Sequence, residues 1–111
     1  MKSALEEFLI HGLKYVFPAE PGPLSRGVPT AHSAAPLSKK IISNEPYVWP
    51  DADGDVRGQA IEPLYPSAPQ AAKKDAKLYE LLTLVDALRV GRVREQKLAA
   101  QELIKRINAN P

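Results

Sequence analysis

Leu5, Phe8, Leu9, Gly12, Leu13 and Val16 recur at i, i+3 and i+4 spacing, which predicts a helix over residues 3–17 with those positions on one face. Ser3 followed by Glu6 matches a capping box, in which each side chain satisfies a backbone N–H at the helix start. Ile10, Tyr15 and Phe17 widen the apolar side and leave Glu7, His11 and Lys14 as the polar strip. A helix this apolar is expected to be covered from more than one direction. Gly12 is expected to let a neighbouring backbone come close, and Pro18 ends the segment because it lacks a donor.

The 3.6-residue period returns near the other end of the chain. Ser67 and Pro69 fit the start of a short turn, and Asp75 fits the cap of a longer helix reaching about Val90. Leu78, Leu81, Leu82, Val85 and Leu88 form its predicted buried stripe. Gly91 suits a helix end or a bend, after which Val93, Ala100, Leu103, Ile104 and Ile107 restart the pattern. Residues 70–109 therefore read as a helical pair, expected to be antiparallel, with one long kinked helix as the alternative.

Between these zones neither period persists. Ten of the 11 prolines fall within residues 18–69, so no helix of ordinary length fits there. The expectation is a long extended segment in polyproline II and turns, lying over the helices, with residues 19–40 its most mobile part. One β-hairpin is plausible within it: a strand at 47–49, a turn at 51–54 and a strand at 56–61. Tyr47 and Trp49 anchor the wrap, because leaving them in water costs about 25 cal/mol per Å² of apolar area. Arg26, Arg57 and Tyr65 are the candidates for pinning it by bonding to backbone carbonyls. The fold class is accordingly mainly α, α+β at most, in a single small domain spanning 1–111.

Composition narrows the chemistry. The absence of cysteine removes disulfides, thiol catalysis and Cys-type metal centres, and two histidines make an all-histidine metal site improbable. No apolar run approaches the ~20 residues that span a bilayer, and no secretory signal precedes the first helix, so a cytoplasmic protein without membrane partners is expected. The net charge of +2 is unevenly spread. From residue 70 onward nine Lys/Arg face five Asp/Glu, a balance of +4, whereas residues 1–69 hold six against eight, a balance of −2. Arg89, Arg92, Arg94 and Lys97 cluster at the predicted bend and are the candidate nucleic-acid contacts, weighed against a solvated face paired with Asp86 and Glu95.

Other constellations fail on context. Asp51, Asp53, Asp55 and Glu62 match positions 1, 3, 5 and 12 of a calcium loop, but Val56 replaces the glycine needed at the sixth position and prolines flank the loop. A polar turn is the better reading. His32 lies near Ser33 and Ser25, yet no nucleophile elbow accompanies them. The glycines fit neither a Walker nor a Rossmann spacing. No enzyme activity and no cofactor are expected.

The stretches LEEFLIHGLKYVFPAEPGPLSRGVPTAHSA, VWPDADGDVRGQAIEPLYPSAP and LYELLTLVDALRVGRVREQKLAA together resemble the C-terminal portion of bacterial MarR-like, winged-helix transcriptional regulators. In such proteins a helix-turn-helix segment that reads DNA precedes the part seen here. The resemblance implies an accessory module for dimerisation or partner binding, with DNA engaged mainly through that upstream segment. Leu5, Phe8, Leu9, Leu13, Tyr47, Trp49, Leu81, Leu82, Val85 and Leu88 are its expected core or interface. The alternatives are direct DNA binding through the basic C-terminal helices, or an antitoxin-like role against a neighbouring nucleotidyltransferase-type toxin.

Overall fold

The computed structural model describes residues 2–41 and 45–109. The N-terminal helix runs in three pieces: α1 (Lys2–Glu7), a π-helical turn (Phe8–Gly12) and α2 (Leu13–Val16). The chain then forms β1 (Leu24–Pro29), two 3-10 turns (Ala31–Ser33 and Leu37–Lys39), β2 (Tyr47–Pro50) and β3 (Val56–Ala60). It ends in α3 (Ala68–Lys74), α4 (Ala76–Val90) and α5 (Val93–Ala109).

The expectation of a mainly α fold with an extended proline-rich wrap is corrected. The chain is α+β, because the proline-rich region builds a sheet. Its prolines punctuate strands instead of preventing them. Pro23 and Pro46 precede β1 and β2, while Pro29 and Pro50 are the last residues of those strands, where a missing N–H costs least. Residues 19–40, expected to be the loosest, contain β1 and both 3-10 turns, and bury Ala31 and Leu37 completely.

The predicted hairpin is corrected as well. Both strands exist, but they run parallel where they meet, with Tyr47 beside Gln59 and Val48 beside Ala60. Each is antiparallel to β1, and the three strands close on themselves. Gly27 marks the junction, since it pairs with Pro50 on one side and Val56 on the other. A Cβ there would lie 2.0 Å from the Trp49 carbonyl oxygen, so only glycine permits the closure. Asp51 shapes the connection: its Oδ1 accepts from Asp53 N at 2.9 Å and its other oxygen pairs with Lys73.

Asp75 caps α4 as its sequence predicts, accepting from the N–H groups of Lys77 and Leu78 at 3.0 and 3.2 Å. Helix α4 is the axis of the molecule. Its Leu84, Ala87 and Leu88 join Leu13, Tyr47, Ile61, Ala99 and Leu103 in one apolar cluster. Leu82 joins Trp49, Ala68 and Ala72 in a second. A helix covered on both sides has no single buried stripe, which is why Leu84 lies at the centre of the core and Leu81 is exposed. Residues 91–92 link α4 to α5, and Arg106 near the end of α5 reaches Glu80 near the start of α4 at 3.5 Å. The pair is antiparallel.

The π turn alters the first helix. An extra residue in the turn rotates everything after it, so Leu5 and Phe8 no longer share a face with Leu13. Leu13 enters the core, whereas Leu5 and Phe8 face solvent. What approaches Gly12 is the Phe8 ring, 3.1 Å from where a Cβ would stand. The capping box expected at Ser3 turns on a side chain that lies outside the described residues.

Candidate interaction site

Two surfaces and one buried network organise the functional residues. The network is centred on Asp86. Its Oδ2 accepts from the Thr30 hydroxyl at 2.7 Å and the Trp49 indole N–H at 2.8 Å, and its Oδ1 accepts from Arg89 Nη1 at 2.8 Å. Burial pushes the Asp86 carboxyl above the usual carboxylate range, while Thr30, the Arg89 charge and Trp49 pull it back.

Arg89 therefore does not stand with the basic cluster at the bend. It is buried, donating from Nε to the Phe17 carbonyl at 2.9 Å and from Nη1 to the Glu62 carbonyl at 3.3 Å. Those carbonyls lie near the two ends of the proline-rich region. The pinning role assigned by sequence to Arg26, Arg57 and Tyr65 belongs to Arg89 and to Tyr79, whose hydroxyl donates to the Pro29 carbonyl at 2.6 Å. Arg26, Arg57 and Tyr65 are exposed. A buried arginine on a helix face gives no periodic signal. The hint lay in Asp86, three residues away and otherwise out of place among leucines.

The other cluster members remain outside. Arg92, Arg94 and Lys97 are exposed at the start of α5. The Arg92 N–H donates to Glu95 Oε1 at 3.1 Å, and its guanidinium stands 3.8 Å from the Glu45 carboxylate. A cavity of about 260 Å³ opens beside them, lined by His32, Glu45, Tyr47, Arg92, Arg94 and Glu95 among others. His32 Nε2 faces the Glu45 carbonyl at 3.0 Å. Ser33 Oγ accepts from Tyr47 N, and Ser25 Oγ donates to the Arg26 carbonyl, so both hydroxyls serve the backbone. Among the described residues no three His, Cys, Asp or Glu side chains gather as metal ligands.

The second surface is the N-terminal helix. Of the residues predicted as core or interface, Leu13, Tyr47, Trp49, Leu82 and Leu88 are buried. Leu9 and Val85 pack partly buried against the larger cluster. Leu5, Phe8 and Leu81 are exposed, and Tyr15, Val16 and Phe17 extend the apolar surface of the same helical segment. No described helix is long and apolar enough to cross a membrane.

Comparison of the chain with protein-family profiles, curated proteins and solved structures returns no match.

Proposed function

We propose that this chain is the accessory, non-enzymatic module of a bacterial transcriptional regulator, and that it self-associates through its N-terminal helix. The observation that carries the reading is the solvent-facing apolar surface of residues 5–17. Leu5 is 47% exposed, Tyr15 76% and Val16 58%, with Phe8 and Phe17 beside them. Side chains of that size concentrated on one short segment mark an interaction surface more often than a solvated one.

A second copy is the occupant that fits. Glu7 stands towards the start of this helix and Lys14 towards its end. An antiparallel pairing about a two-fold axis sets Glu7 of each copy against Lys14 of the other, which makes the surface self-complementary. The resemblance to regulators, whose DNA readers work in pairs on two half-sites, favours the same arrangement.

The test is light scattering on the full chain and on Leu5→Glu/Val16→Glu, over micromolar to hundred-micromolar concentrations. The wild-type mass is expected to rise with concentration towards twice the monomer mass, and the variant to stay at the monomer mass with an unchanged circular dichroism spectrum. A wild-type mass equal to the variant's across the whole range would overturn the reading.

A further inference from the structure

The outward face of α5 carries a row of basic side chains that self-association through the N-terminal helix does not use. Arg94, Lys97, Gln101 and Lys105 follow i, i+3, i+4 spacing and are all exposed. From Arg94 to Lys105 the row extends about 16 Å at 1.5 Å per residue. It lies opposite Ala99 and Leu103, which face the core.

The row is free of acid for a structural reason. Both carboxylates of α5 are turned to internal work: Glu95 accepts from the Arg92 N–H, and Glu102 binds Lys40 Nζ and Arg106 Nη1, each at 2.6 Å. Lys40 lines a groove with Arg94, Lys97 and Gln101, its own charge already met by Glu102. The positive end of the α5 dipole lies where the row begins.

We infer that this ridge is a contact face for the phosphate backbone of duplex DNA. Among the described residues the groove beside the row has only Val93 and Leu98 as apolar lining and no aromatic side chain, which falls short of the desolvated hot spots of a protein–protein interface. The exposed Val93 at its start is too little for membrane insertion, and no ring among the described residues of α5 is placed to stack on unpaired bases. Regularly spaced phosphates need only cations at matching reach, and such contacts fix position without reading sequence. Arg89 has no part in this face, and Arg92, paired with Glu45, is peripheral to it.

The experiment is fluorescence anisotropy of the full chain against a labelled random-sequence 25-base-pair duplex. With three phosphates neutralised, affinity is expected to fall roughly 40-fold between 50 and 200 mM salt. Arg94→Gln/Lys97→Gln/Lys105→Gln is expected to cut affinity at 50 mM salt at least tenfold and to flatten the salt dependence. Arg26→Gln/Arg57→Gln/Lys74→Gln removes the same net charge elsewhere and is expected to change affinity less than threefold. Equal loss in the two triple variants would overturn the inference. So would equal or tighter binding to polyglutamate, to anionic vesicles or to a single-stranded oligonucleotide. Light scattering on the same samples keeps this result separate from the self-association reading.

Discussion

Arg89 and Asp86 meet at 2.8 Å, about one turn apart on α4, with both side chains almost completely sealed from solvent. An ion pair so buried contributes little net stability by itself, because desolvating two charges offsets their attraction. Its effect is to fix geometry. Through Asp86 the pair holds Thr30 and Trp49, and through Arg89 it holds the Phe17 and Glu62 carbonyls. Four points of an irregular, proline-rich chain are thereby tied to one helix face.

Breaking one side of this pair strands the other. Arg89→Ala is expected to cost about 3–5 kcal/mol in denaturant unfolding, because Asp86 is left as an uncompensated buried acid. Replacing both together, as Asp86→Leu/Arg89→Met, is expected to cost less than either single change. Arg57→Ala, on the exposed face of β3, is expected to change stability by less than about 0.5 kcal/mol. A loss of several kcal/mol for Arg57→Ala would return the pinning role to it.

Trp49 is the only tryptophan and reports on the same network. Trp49→Phe removes the indole donor to Asp86 and is expected to cost about 1–3 kcal/mol, the penalty of an unmade buried hydrogen bond together with lost packing. In the wild type, its emission should shift to the red at the same denaturant concentration at which helical circular dichroism is lost. Separate transitions would show that sheet and helices are not locked together by Asp86.

Gly27→Ala tests the closed sheet. A methyl group placed 2.0 Å from the Trp49 carbonyl oxygen must open the junction between β1 and β2. The variant is expected to lose cooperative unfolding and to bind hydrophobic dyes. A variant that melts like the wild type would contradict the closure.

Glu102 sets an acid limit on stability. The Lys40 hydrogen bond, with help from Arg106, holds its carboxyl at about 2, against an ordinary 4.5. A carboxyl held low stabilises the fold above its unfolded value and withdraws that support as pH falls. Melting temperature is expected to decline between about pH 4.5 and pH 2, and Glu102→Gln should flatten that part of the profile. Because Lys40 is half-exposed, added salt should weaken the effect.

Much of the helical structure was legible in sequence, and the sheet was less so. Asp75 and Gly91 announced the bounds of α4, because caps and helix ends depend on the local chain. The sequence places β2 and β3 but hides β1, because its flanking and internal prolines look like barriers when Pro29 in fact stands at the strand end. The pairing of β2 with β3 depends on Gly27, a residue in another strand, and so left no local trace. The π turn hid the split between Leu13 and the exposed pair Leu5 and Phe8, since sequence periodicity assumes an unbroken helix. Proximity in sequence groups Arg89 with Arg92 and Arg94, although α4 ends at Val90 and Asp86 holds Arg89 in the interior.

The proposed self-association rests on the exposed apolar surface of residues 5–17. Sedimentation equilibrium of the wild-type chain, from a few micromolar to a few hundred micromolar, tests it most directly. A reversible monomer–dimer equilibrium is expected, which Phe8→Glu shifts to monomer without lowering the melting temperature. A single monomeric species at every concentration would contradict it.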